Sequence, residues 1–176
     1  MDVRLSKRMS HALRHEPWLY ELELDEEGWT PVADLLAALG VSRSRLEDVV
    51  RDNPKQRFEL AGERIRARYG HSVPGRILLT PGLPPALLFH GTAASVAARI
   101  RREGLRPMRR QYVHLSVTRE MAESVGQRKG ERVTVLTVDT SAARAAGVEF
   151  LRGNEFVWLT EHVPAECLRE RRVPRG

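Results

Sequence analysis

The sequence predicts an α+β protein of two lobes. Three observations predict it. Three helical segments and a strand hairpin fill the first part of the chain, a proline- and glycine-rich run interrupts it at 74–85, and beyond that run strands and helices mix without a regular β-α-β alternation. The expected boundary divides residues 1–80 from 81–176.

The 176 residues are 41% hydrophobic, enough for a packed core. Net charge is +6; three of the 29 cations are lysines (Lys7, Lys55, Lys129) and the other 26 are arginines. Arginine grips phosphate oxygens through two bonds where lysine offers a point charge, so a phosphorylated or nucleic-acid partner is plausible. An arginine-rich codon usage gives the same composition. The single Cys167 excludes an internal disulfide and a cysteine-based zinc site. The chain has no apolar run of about 20 residues, so no membrane partner is expected. The start at Met1-Asp2-Val3 has no signal-peptide stretch, and a cytoplasmic location is expected.

Residues 3–15 read as one helix, with Leu5, Met9, Ala12 and Leu13 in a buried stripe and Lys7, Arg8, His11, Arg14 and His15 beside it. Pro17 ends it. Arginine and histidine in a last turn also simply complement the helix dipole. After the turn Asp25-Glu26-Glu27-Gly28, Thr30 reads as an N-cap with Pro31 at the first helical position. Val32, Leu35, Leu36 and Leu39 form the buried face, and Gly40 stops the helix. Ser42 caps a third helix through about Arg51. Strands at 57–61 and 64–69 flank Gly62; in the second, Arg64, Arg66 and Arg68 share one face. Three helices and a hairpin are the order of a winged-helix module, whose basic wing serves nucleic acid or is merely a solvated face.

In the second lobe, 87–90 is a short apolar strand, Gly91-Thr92 leads into a helix from about Ala93 to Glu103, and 112–116 is a strand. A helix follows from Thr118, an apolar strand at 133–138 is expected inside a sheet, and Gly153-Asn154 separates the strands of a hairpin. Trp18, Trp29 and Trp158 are expected in or near the cores, and His11 and His162 at the surface.

The sequence contains no Gly-x-Gly-x-x-Gly and no P-loop, and its histidines lack metal-ligand spacing, so no metal is expected. A glycine at 91 lets a ligand approach the backbone, or only turns the chain. What remains is a set of arginines and histidines without a partnered carboxylate. That suits a reaction in which the substrate brings its own nucleophile, such as a phosphate.

In order, Leu5-Ser6-Lys7, Leu13-Arg14-His15, Gly28-Trp29-Thr30-Pro31, Lys55-Gln56-Arg57-Phe58, Ile65-Arg66-Ala67 with Gly70-His71-Ser72, His90-Gly91-Thr92 and Val113-His114-Leu115-Ser116 resemble the RNA 2′-phosphotransferases of the KptA family, over nearly the whole chain. The resemblance implies an N-terminal winged-helix RNA-binding lobe and a C-terminal split β-sheet lobe of the ADP-ribosyltransferase fold that binds NAD. It implies a two-step reaction. An internal RNA 2′-phosphate attacks C1″ of the nicotinamide ribose and expels nicotinamide; ribose O2″ then attacks that phosphate, leaving a 2′-OH and ADP-ribose 1″,2″-cyclic phosphate. By resemblance the catalytic residues are Arg14, His15, Arg57 and Arg110, the last chosen over Arg109 because it stands four residues before His114. His90, Gly91, Thr92, His114, Ser116, Arg128 and Val157 are expected around NAD, Val157 standing where many ADP-ribosyltransferases carry a glutamate. Lys7, His71 and Ser72 are expected to face RNA. The quartet is expected to draw Arg110 from the NAD lobe, the partners are a tRNA-like RNA with an internal 2′-phosphate and NAD, and a monomer is expected. Two other readings stay open: NAD-dependent ADP-ribosylation of nucleic-acid terminal phosphates or of a protein, and a non-catalytic nucleic-acid-binding protein.

Overall fold

A computed structural model describes residues 1–127 and 132–170. The architecture is mixed α+β, helical toward the N-terminus and dominated by a multi-stranded sheet toward the C-terminus. The chain divides into two compact units: Met1–Leu79 with Arg109–Gln111, and Thr80–Met108 with the chain from Tyr112 onward.

The first unit opens on α1 (Val3–Ser10), capped by Asp2, whose carboxylate accepts the Leu5 N–H at 3.0 Å. The apolar stripe predicts one helix through residue 15. The chain instead widens at His11–His15 into a π turn, closed by the Glu16 N–H on the His11 carbonyl at 3.0 Å. Pro17, with no N–H to extend the ladder, starts a 3-10 turn over Pro17–Tyr20. Trp18, expected near a core, is 53% exposed on that turn.

Thr30 does not cap a helix. Thr30–Pro31 is a short strand, β1, paired with β3 (Arg64–Ala67), and α2 begins only at Val32 (Val32–Leu39). Strand pairing takes the backbone that a cap would have used, and the Thr30 hydroxyl is buried without a hydrogen-bond partner among the described residues. Ser42 does cap α3 (Arg43–Asp52), accepting the Arg45 N–H at 3.3 Å. β2 (Phe58–Ala61) and β3 pair antiparallel around Gly62, whose φ of 59° suits a tight turn, and the sheet order is β1-β3-β2. Leu5, Met9, Leu13, Leu35, Leu46 and Ile65 are fully buried where the helices meet this sheet, each contributing roughly 1.5–3 kcal/mol.

In the second unit, β4 (Leu87–Ala93), α4 (Ala94–Glu103), β5 (Val113–Ser116), α5 (Arg119–Gly126), β6 (Val133–Asp139), α6 (Thr140–Ala145), β7 (Phe150–Arg152), β8 (Val157–Thr160) and β9 (Leu168–Glu170) follow in order. They form an antiparallel sheet in the order β7-β8-β5-β4-β6-β9, over a core that includes Leu88, Leu115, Val138 and Phe150. The apolar β6 lies inside the sheet between β4 and β9. Pairing is uneven. β4 is in register with β6 from Leu87 opposite Asp139 to Ala93 opposite Val133, but among the described residues it pairs with β5 only at Phe89 opposite Ser116.

Candidate active site

Arg14 lies in the π turn with its guanidinium 5.2 Å from the centre of the Tyr69 ring. Gly70 completes the cradle: a Cβ there would stand 3.2 Å from Arg14 Cζ, and its φ of 86° is one that glycine accepts without strain. Nε and Nη2 of Arg14 are buried and have no hydrogen-bond partner among the described residues. These two nitrogens form one edge of the guanidinium, the edge that grips two oxygens of a carboxylate or phosphate side by side. Burial is the main reason the Arg14 pKa falls to about 10; Tyr69 opposes the fall, and the charges of Arg57 and Arg110 add to it. At neutral pH the group is therefore still a cation, held with its gripping edge unsatisfied.

His15 follows directly. Its Nδ1 is 2.8 Å from the Ser72 hydroxyl, and the Ser72 N–H donates to the Arg14 carbonyl at 2.8 Å. Burial, then the charges of Arg14, His11 and Arg110, lowers the His15 pKa, while Glu16 opposes them. The lowered pKa favours the neutral imidazole, and an anion beside the ring would favour its protonation. His71, expected to face RNA, does not lie at the surface. It is 4% exposed, its Nε2 has no hydrogen-bond partner among the described residues, and burial first, then Arg14, lowers its pKa to about 4. It is a neutral buried group behind Ser72, which is itself exposed.

Arg57, half-buried, precedes β2, and its carbonyl accepts the Arg68 N–H at 2.8 Å. Arg110 is exposed and belongs to the first unit, although its place in the chain assigns it to the second lobe. All four residues of the expected quartet thus lie in one unit, and the charges of Arg57 and Arg110 both bear on Arg14. Lys7 is exposed on α1.

The basic face of β3 is not an open stripe of cations. Arg66 pairs with Glu59 at 2.8 Å and Glu27 at 3.5 Å, Arg68 with Glu59 at 3.7 Å, and Arg64 with Asp25 at 3.9 Å. Arg64 and Arg66 also lie 4.8 and 4.4 Å from the Trp29 ring. These partners come from elsewhere in the sequence, so the alternation on β3 alone could not reveal them.

In the second unit, His90, Gly91 and Thr92 lie within β4, and His114 and Ser116 within β5. His90 Nδ1 donates to the His114 carbonyl at 3.0 Å, next to the one position where the strands pair. In the neutral ring Nε2 is then an acceptor, the polarity that suits a sugar hydroxyl. Val157 on β8 is opposite Ser116. Gly91 has a packing reason: a Cβ there would collide with the Ala122 carbonyl on α5. Gly126 of the same helix is equally constrained, a Cβ there standing 2.9 Å from the Gly91 carbonyl carbon. Arg128 lies outside the described residues. Among those described, no three His, Cys, Asp or Glu side chains converge.

Tyr69 and Gly70, which seat Arg14, were not singled out for that role by the sequence. Their adjacency to His71-Ser72 was the available signal.

Three arginines and a histidine lie in one unit, and one of the arginines keeps a two-point edge without a hydrogen-bond partner among the described residues, the kind of edge that suits a carboxylate or a phosphate. The chain matches the model of the "RNA 2'-phosphotransferase, Tpt1 / KptA family" over residues 1–162. It is 47% identical over 173 residues to a "Probable RNA 2'-phosphotransferase" of Bacillus thuringiensis subsp. konkukian (strain 97-27), with 94% of each chain covered. A protein described in the same words from Pyrococcus furiosus is 40% identical over 172 residues, covering 95% of this chain and 94% of that one. One from Streptomyces griseus subsp. griseus is 46% identical over 180 residues, covering 94% and 95%. The chain belongs to the RNA 2′-phosphotransferase family.

Proposed function

We propose that this protein is an NAD-dependent RNA 2′-phosphotransferase that removes an internal 2′-phosphate from RNA. The carrying observation is the buried, unpartnered Nε–Nη2 edge of Arg14 among Arg57, Arg110 and His15. The order of helices and hairpin supports reading the first unit as a winged-helix RNA lobe. The opening of the second unit's sheet between β4 and β5 supports reading it as a split-sheet ADP-ribosyltransferase lobe.

In this reading Arg14 grips two oxygens of the RNA 2′-phosphate through Nε and Nη2. Arg57 and Arg110 neutralise its remaining charge, and the gain is largest in the second step, when charge builds around phosphorus. His15, oriented by Ser72, donates a hydrogen bond to a phosphate oxygen or exchanges a proton. NAD, as co-substrate, supplies an electrophilic ribose carbon and then a ribose hydroxyl, so the products are 2′-OH RNA, ADP-ribose 1″,2″-cyclic phosphate and nicotinamide. The residues present fit it: His90 Nε2 is an acceptor for a ribose hydroxyl, and Thr92, His114 and Ser116 lie on the two strands that part. With Val157 where many ADP-ribosyltransferases carry a glutamate, no carboxylate activates the nucleophile of the first step, and none is needed because the attacking phosphate is already anionic. In the second step the attacking ribose hydroxyl loses its proton and the departing RNA 2′-oxygen gains one, and His15 serves as the proton relay.

The test is incubation with an RNA bearing one internal 2′-phosphate and NAD. One nicotinamide should be released for each 2′-phosphate lost. RNA left unchanged, with no nicotinamide, overturns the proposal; a stable ADP-ribosylated product that never resolves to a hydroxyl replaces it with ADP-ribosyl transfer.

A further inference from the structure

We infer that Gln111 is a positioning residue that holds Arg110 in the cationic group around Arg14; the inference deepens the function proposed above and rests on it for its catalytic consequence. Arg109–Gln111 belong to the first unit although Met108 and Tyr112, on either side, belong to the second. A three-residue excursion needs an anchor, and the Gln111 side chain supplies one. Its Nε2 donates to the Val73 carbonyl at 2.9 Å and the Gly75 carbonyl at 2.8 Å, and its Oε1 accepts the Ile77 N–H at 2.9 Å. Both amide hydrogens and one oxygen lone pair are thereby committed to one short stretch of backbone.

That stretch is the continuation of the loop that serves Arg14 and His15. Gly70 makes room for the Arg14 guanidinium, Ser72 bonds both the Arg14 carbonyl and His15, and residues 73–77 then bind Gln111. The neighbouring Arg110 is one Cα step, about 3.8 Å, from this anchor, and its charge bears on both Arg14 and His15. The glutamine amide is specific for the task. It reads two carbonyls and one N–H; a methionine of similar length reads neither.

The proposal is tested by a double-mutant cycle of Gln111→Met and Arg110→Ala in the full chain, with His15 titrated by NMR as the readout. The charged groups around His15 are Arg14, His11, Arg110 and Glu16. Removing Arg110 should raise the His15 pKa. Gln111→Met should raise it in the same direction by releasing Arg110, and the double variant should go no further than Arg110→Ala alone. Turnover should follow the same pattern: about a hundredfold loss on Gln111→Met, as expected for a misplaced catalytic group, and no added loss in the double variant. A merely structural role would leave His15 titrating as in the parent, or would add its loss to that of Arg110→Ala; either result overturns the inference. Gln111→Ala serves in place of Gln111→Met if that variant unfolds. A parent protein that releases no nicotinamide defeats the proposed function, while the His15 cycle still decides the role of Gln111.

Discussion

In the proposed function the two candidate sites each hold a polyanionic ligand, and they are built by opposite means. In the first unit the work falls to side chains: Arg14 is kept charged and half-buried, with its Nε–Nη2 edge buried and unpartnered among the described residues, and Gly70 and Tyr69 shape the space around it. In the second unit it falls to the backbone: β4 and β5 part beyond Phe89–Ser116, and Gly91 and Gly126 let α5 lie directly on β4. The difference teaches where each site keeps its cost. The first carries it as unsatisfied charge, which substitution can relieve. The second carries it as close packing, which substitution can only disrupt.

The largest effect should come from Arg14→Met. Removing a preorganised two-point contact to the phosphate should lower turnover about a thousandfold or more. Because the lost group is a half-buried cation with two buried, unpartnered nitrogens, stability should hold or rise by about 1–3 kcal/mol in urea unfolding. A large destabilisation would show that the contact of Arg14 with Tyr69 outweighs the cost of its unpartnered edge and would break the contrast. Gly91→Ala is the converse. Its Cβ would collide with the Ala122 carbonyl, so α5 must lift from β4 at a cost of about 3 kcal/mol or more. NAD affinity, measured by calorimetry, should fall with it. Unchanged stability would mean that the glycine serves the ligand alone.

This contrast was only partly legible in the sequence. The stripe Leu5, Met9, Leu13 announces a helix, but a π turn shifts the ladder by one residue while leaving those side chains buried, so periodicity cannot detect it. Ser42 reads correctly as a cap because its bond is three residues away; Thr30 misleads because its partner strand lies more than thirty residues on. Arg64, Arg66 and Arg68 are legible as one face, yet Trp29, Asp25, Glu27 and Glu59, which occupy that face, are not. The helix α6 is only six residues long and escaped notice. The site residues were named through motifs shared with a family; that Arg110 joins the first unit depends on the long-range bonds of Gln111.

The side-chain site should also place a pH dependence in the first unit. His71 is buried, with a pKa near 4 in the fold against 6.5 in the free side chain. A depressed pKa means that the unfolded chain takes up a proton first as pH falls. The contribution is therefore complete above 6.5, lost progressively between 6.5 and about 4, and exhausted below that. The total is up to about 3 kcal/mol. Urea unfolding at a series of pH values should show this slope in the parent protein and a shallower one in His71→Asn. Equal slopes would show that the ring is not held neutral by burial.

The smallest expected effect is at Ser72. Its hydroxyl lies 2.8 Å from His15 Nδ1 and is exposed, so removing it should scarcely change stability, by about 0.5 kcal/mol at most. It should still cost activity. If the hydroxyl donates to Nδ1, it fixes the tautomer that carries a proton on Nε2, and Ser72→Ala frees the ring to rotate and to exchange tautomers. One such hydrogen bond is worth about 1 kcal/mol, or several-fold in turnover. The loss should fall on the rate with little change in the apparent affinity for RNA, since Arg14 keeps its grip on the phosphate. A loss confined to affinity would instead mean that Ser72 touches RNA directly. Ser72 would then be a contact residue in its own right rather than the group that orients His15 from behind.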